Sequence, residues 1–235
     1  MDFYDSILGW LIILGSIVPY GFQYYKICKH SSVKGISGLM LLSGCISSFF
    51  SLLAIIFNNF YIIINSNNSL EKYLLSLPII QLGSSFILLE INYLLYFFYN
   101  KLIRHRIIYI LWHIIQSIVC IIIFPILLIT LHNNNVIYIF FNVTSGLFSV
   151  IMWLPQIVIT IKQKDSGSLS ITSLIIQAIG CLLVILFQLL DNTSPTIIIP
   201  YVISALSEIT LVIMCFYYKY LPKKNDDFLL LTDEV

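Results

Sequence analysis

Charge is scarce in this sequence. Only 10% of its 235 residues are Asp, Glu, Lys or Arg, where a soluble domain carries about a quarter. Twelve basic residues against eleven acidic ones leave a net charge of +1. That balance offers no basic surface for counterion release, so no nucleic-acid partner is expected. Cysteines are few, and Cys28, Cys45, Cys120, Cys181 and Cys215 contain no Cys-x-x-Cys spacing. Four of the five fall in apolar runs, where a thiol packs as a small hydrophobe. The sequence has no cluster of metal ligands, no nucleophile set beside a base and no phosphate loop. It therefore reads as a non-enzyme, with no catalytic residues, metal or cofactor expected. The first residues include Asp2 and Asp5, where a secretory signal would carry basic residues.

Apolar residues supply what charge does not. They make up 59% of the chain and recur in runs long enough to cross a hydrocarbon core of about 30 Å. Seven helices are predicted, over residues 6–25, 37–57, 74–99, 107–131, 137–161, 169–190 and 196–218. The fold class is an all-α membrane protein with seven transmembrane helices. The Asn-rich stretch from Asn58 to Lys72 is predicted to be a polar loop. Lys and Arg cluster after helices one, three, five and seven, whereas the other ends carry Asp2, Asp5, Glu71, Lys72 and Asp191. Positive loops stay cytosolic, so the N-terminus is expected to be lumenal and the C-terminus cytosolic. Asn67-Asn68-Ser69 and Asn192-Thr193-Ser194 are sequons on the lumenal side.

Two stretches carry the strongest local signal. Trp153-Leu154-Pro155-Gln156 lies inside an apolar helix and is followed by Lys162, Lys164 and Gly167-Ser168-Leu169-Ser170. Proline lacks an N–H and clashes with the carbonyl four residues back, at about 3 kcal/mol or more in a helix interior. A kink is expected there, with Pro155 as a hinge. Earlier, Pro19-Tyr20 runs through Gln23 to Lys26, and Gly35-Ile36-Ser37 opens the next apolar run. Read as two copies, Pro19 pairs with Pro155 and Lys26 with Lys162, which makes Pro19 the second expected hinge. Tyr20 then stands opposite Gln156, with Gln23 one turn further along the same face. Such internal repeats mark many transporter folds.

These two stretches resemble the PQ-loop repeat family, which includes cystinosin, lysosomal cationic amino-acid exporters and, more distantly, the SWEET transporters. The resemblance implies two parallel triple-helix repeats around a linker helix, a 3+1+3 plan. An odd number of helices per repeat reverses orientation, and one added crossing restores it. The expected divisions are residues 1–100 for the first repeat, 101–136 for linker helix four, 137–220 for the second repeat and 221–235 for a cytosolic tail. Substrate sites in such folds lie near the midplane, between the repeats.

Polar residues within the apolar runs supply the candidate site. Helix five carries Asn142, Trp153 and Gln156 at helical spacing, helix six Gln177, and helix seven Tyr201 and Glu208. Gly and Ser positions on these faces read as close packing. Tyr20, Gln23, Asn142, Trp153, Gln156, Gln177, Tyr201 and Glu208 read as substrate-binding or cavity residues. Glu208 and Glu90 lie near the centres of helices seven and three, where an unpaired ionised carboxylate costs several kcal/mol. Both are candidate proton sites. His113 and Gln116 are the buried polar candidates of helix four. In cystinosin-like proteins a carboxylate after the second PQ loop is tied to proton coupling; the aligned residue here, Gln177, does not titrate. In the tail, Asp226 followed by Leu230-Leu231 looks like an acidic dileucine signal for a sorting adaptor.

The resemblance implies a transporter of a small polar solute, an amino acid or related metabolite, working by alternating access in an endolysosomal or vacuolar membrane. The alternative is a non-transporting receptor or scaffold of the same architecture. The expected partners are the solute and the lipid bilayer. Nothing in the sequence sets the oligomeric state.

Overall fold

The computed structural model describes residues 2–100, 102–130, 135–165, 167–190 and 195–220. These form seven helical spans and, among the described residues, no strand. The spans are α1 (Asp2–His30), α2 (Gly38–Asn65), α3 (Ser69–Tyr99), α4 (Ile103–Thr130), α5 (Asn135–Gln163), α6 (Ile171–Leu190) and α7 (Pro195–Tyr220). By length and apolarity alone, Gly38–Asn65, Leu75–Tyr99, Ile103–Thr130, Asn135–Gln163 and Tyr201–Lys219 can each cross a membrane. Ile171–Leu186 is a shorter apolar helix.

The expected loop from Asn58 is mostly helix instead. Asn59 is buried, and its amide donates to the Leu75 carbonyl of α3 at 3.2 Å. An asparagine that finds a partner on the neighbouring helix need not leave its own helix. The turn shrinks to Ser66-Asn67-Asn68, where the Asn68 side chain caps the Leu70 N–H at 3.1 Å. A short polar side chain accepting from the second residue of a helix is an N-cap. The sequon at Asn67 sits in this turn; the one at Asn192 lies outside the described residues.

Two proline sites interrupt regular winding. In α4 a π-helical turn covers Val119–Ile123 just before Pro125. The wider turn makes room where the ring would meet the Ile121 carbonyl. In α5 the regular winding ends at Ile151 and resumes at Trp153, with Met152 at the break. This break lies one turn before Pro155, whose missing N–H leaves the Ile151 carbonyl without its helical partner. By contrast, α1 runs through Pro19 and α3 through Pro78 without a break.

The third helix of each repeat packs against both of the others: α3 touches α1 and α2, and α7 touches α5 and α6. The repeats meet crosswise, α1 against α6 and α2 against α5. Six helices thereby close a ring in the order α1, α3, α2, α5, α7, α6. Helix α4 lies outside it, held by Trp112 in an edge contact with Phe49 and by Tyr61, which donates to the Leu128 carbonyl at 3.1 Å. Apolar side chains such as Ile121, Ile129, Leu147 and Leu154 point outward and exposed, as a lipid-facing surface requires. Gly180 also faces open space, so it does not serve the close packing expected of it. Gly44 does, lying against Leu89 and Met152.

Candidate functional site

At one end of the ring the two repeats exchange amide groups. Gln156 of α5 is wholly buried (0% exposed). Its Nε2 donates to the Gly35 carbonyl at 2.7 Å, and its Oε1 accepts from the Ser37 N–H at 2.8 Å. Gln23 of α1 does the same in the opposite direction. Its Nε2 donates to the Ser168 carbonyl at 3.0 Å, and its Oε1 accepts from the Ser170 N–H at 2.8 Å. Each primary amide thus satisfies one donor and one acceptor of the partner repeat's connecting loop.

This exchange sets the true register of the repeat. The separation from Gln23 to Gln156 equals that from Gly35 to Ser168 and from Ser37 to Ser170. Ser37 and Ser170 each cap their helix, accepting from Met40 N and Ser173 N, both at 3.2 Å. Ser31 and Lys164, at the same separation, both take a left-handed conformation (φ 45° and 49°) where α1 and α5 end. Pro155 therefore corresponds to Phe22, not to Pro19, and Lys162 to Lys29, not to Lys26. Pro19 corresponds to Met152, the residue at the break in α5. Helical periodicity could not separate Tyr20 from Gln23, which share a face one turn apart; the partner loop separates them.

Further bonds seal the same end. The Ser168 N–H donates to the Lys34 carbonyl at 2.7 Å, and Lys26 Nζ to the Leu169 carbonyl at 2.6 Å. Beneath the seal lies a cavity of about 30 Å³ between the repeats. That volume suits a water or two and no solute. Tyr20, Gln23, Trp153 and Gln177 line it, together with Ser173 and Asn92. Asn92 is 5% exposed, and its Oδ1 has no hydrogen-bond partner among the described residues. Among the described residues the Gln177 amide donates one long bond, 3.5 Å, to Ser173 Oγ. An unsatisfied amide oxygen at a void is what a polar guest would pair with.

The other expected cavity residues lie elsewhere. Asn142 is exposed on the outer face of α5 and donates back to the Tyr138 carbonyl of its own helix at 3.2 Å. Gln156 closes the end of the cavity without lining it. Tyr201 and Glu208 do not line it either, although Glu208 is only 2% exposed. Glu208 connects to the cavity through a chain: Trp153 Nε1 donates to Ser204 Oγ at 2.9 Å, and Ser204 donates to Glu208 Oε1 at 3.3 Å. Glu90 points away from the cavity, toward α4. It accepts from Trp112 Nε1 at 3.1 Å and faces His113 Nε2 at 3.5 Å, close enough to pair but without hydrogen-bond geometry. Asp226, Leu230 and Leu231 lie outside the described residues.

In the sequence Gln81 and Asn92 mark a different face of α3 from Glu90, and both faces of that helix cannot line one cavity. The carboxylate draws attention; the amide holds the inward position. Trp112→Phe is expected to lower stability by about 1–3 kcal/mol, because Glu90 Oε1 loses its donor inside apolar surroundings. Thermal unfolding in detergent checks it.

The PQ loop repeat family profile matches residues 6–64 and 135–197, together just over half of the chain. Both matched regions contain one of the paired glutamines and the loop that its partner holds. A solved structure of a eukaryotic SWEET transporter is similar over 93% of this chain and 98% of its own, with TM-score 0.59 and 13% identity. That likeness concerns the fold. No curated protein matches this sequence. The crosswise ring, the exchanged amides and the two matched segments together make this chain a member of the PQ loop repeat family, a multi-pass membrane protein.

Proposed function

We propose that this protein carries a small polar solute, an amino acid or related metabolite, across an endolysosomal or vacuolar membrane by alternating access. The observation that carries this reading is the reciprocal amide exchange over a polar-lined central cavity. A gate must close completely without fusing the two halves. Two neutral amides meeting two loops do that, because each bond can be replaced by one to water when the end opens. The basic residues of the α1–α2 and α5–α6 loops support a cytosolic position for the sealed end and a lumenal N-terminus. In this state the cytosolic gate is shut and the cavity has contracted below solute size. Rocking of the repeats, with the break at Met152 and Pro155 as a flexible point of α5, would reopen it. Asn92, Gln177 and Tyr20 would then bind the solute's polar groups.

The test is uptake of labelled amino acids into vesicles holding the purified protein, with solutes ranked first by thermal shift, since a ligand of the folded state raises apparent stability. Uptake that saturates and is lost in Asn92→Leu supports a carrier. Ligand binding without uptake in either direction supports the receptor or scaffold reading instead.

A further inference from the structure

The chain Trp153–Ser204–Glu208 joins a wall of the cavity to an acid that the cavity does not touch. Trp153 is 2% exposed and lines the void; Glu208 is equally buried on α7. Ser204 sits between them, accepting from the indole and donating to Oε1. The second carboxyl oxygen, Oε2, is buried without a hydrogen-bond partner among the described residues. The titratable groups against Glu208 are Tyr20 from α1 and Cys181 from α6. Neither is a cation, and no Lys, Arg or His pairs with Glu208 among the described residues. The positively charged Lys26 belongs to the sealed end, on the Leu169 carbonyl.

We propose that this relay makes Trp153 a reader of the protonation state of Glu208, so that a proton on the acid changes how the cavity wall is held. The inference rests on the reading of the void as the transport route. When Glu208 is ionised it can only accept, and the Ser204 hydroxyl must point at it. That polarises Ser204 Oγ and strengthens its acceptance from the indole, as linked hydrogen bonds do. Uptake of one proton from water, onto Oε2, gives the acid an O–H of its own. The hydroxyl already bonded to the carboxyl is that of Ser204. The carboxyl turns to donate to it, and the serine hydroxyl swings back to a carbonyl of its own helix, its usual alternative. Ser204 then accepts from two donors, and the indole bond weakens. The ionised acid holds Trp153 in the wall; the protonated acid loosens it. Trp153 and Ser204 are positioning residues here, acting through one another.

The chain has three tryptophans, so full-length protein labelled with 5-fluorotryptophan gives three fluorine resonances. Trp153→Phe assigns the one that matters. In wild-type protein the Trp153 resonance is expected to move in a single step as the pH is lowered and Glu208 takes up its proton. Glu208→Gln removes the movement because nothing titrates. Ser204→Ala removes it because the link is cut, and Ser204→Thr, which keeps the hydroxyl, retains it. Trp10 and Trp112 signals that match those of wild-type protein at the same pH certify that each variant is folded. A Trp153 resonance that stays still in wild-type protein, or that titrates fully in Ser204→Ala or Glu208→Gln, overturns the relay. The measurement needs no solute. Absent uptake with an intact titration removes the carrier and leaves the relay; uptake with a still Trp153 resonance removes the relay alone.

Discussion

Gln156→Leu is expected to unseal the end of the protein that carries the α1–α2 and α5–α6 loops. Leucine fills much the same volume, so the packing term is small. What is lost is the partner of two buried backbone groups, the Gly35 carbonyl and the Ser37 N–H. Each orphaned group costs about 1–3 kcal/mol, so the sealed state loses about 2–6 kcal/mol. A two-state gate tilts tenfold for about every 1.4 kcal/mol, so the sealed form ceases to dominate. Gln23→Leu strips the Ser168 carbonyl and the Ser170 N–H in the same way. Its effect should be smaller, because Gln23 is 5% exposed and Gln156 is not exposed at all. Water reaches that site more readily. The readout is the labelling rate of a cysteine placed at Ser173, in the cavity wall, by a membrane-impermeant maleimide. Wild-type protein should label slowly from the loop side, Gln156→Leu at least tenfold faster. An unchanged rate, with the fold intact, would show that the amides are structural pins and not a gate. Gln156→Glu sharpens the point. Its carboxylate still accepts from the Ser37 N–H but meets the Gly35 carbonyl oxygen with no proton between, so it should label nearly as fast as the leucine variant.

The contrast between the two copies shows what could be read in advance. Apolar runs announce themselves, because crossing a membrane leaves few alternatives to a long helix. Pro155-Gln156 was legible for a related reason: a proline and an amide inside such a run must each be compensated. The first copy offered only Phe22-Gln23, and periodicity cannot choose between residues one turn apart on one face. The loop that Gln23 grips lies far away in sequence, so its role belongs to tertiary structure. Asn58 to Asn65 failed for the opposite reason. Local preference favours a turn for an asparagine-rich stretch, and the contact of Asn59 with α3 overrides it. The placing of Glu90 and Asn92 was likewise out of reach, since rotation of α3 by about half a turn exchanges their surroundings.

Gly167→Ala is expected to break the same seal by another route, through the backbone. Gly167 has φ +50°, and a Cβ there would overlap the Lys34 carbonyl. That carbonyl cannot swing away cheaply, because it accepts from the Ser168 N–H at 2.7 Å. The left-handed conformation alone costs an alanine about 1–2 kcal/mol. Relieving the overlap costs the inter-loop hydrogen bond as well, and with it the position of Ser168 and Ser170 under Gln23. Gly180→Ala is the matched control. Gly180 lies within α6 with nothing within 4 Å of its missing Cβ. Alanine there should be neutral or stabilising by about 0.5–1 kcal/mol, because glycine is a poor helix former. The two substitutions add the same methyl group, and the outcome should differ in sign. Thermal unfolding in detergent should fall for Gly167→Ala and hold or rise for Gly180→Ala, while maleimide labelling at Ser173→Cys rises only in the first. Equal effects from both would mean that the close approach of the two loops is not what holds the end shut. The pair separates backbone contact from the side-chain amides: if Gly167→Ala labels as fast as Gln156→Leu, the four bonds of the two glutamines cannot hold the gate without the loops being in register first.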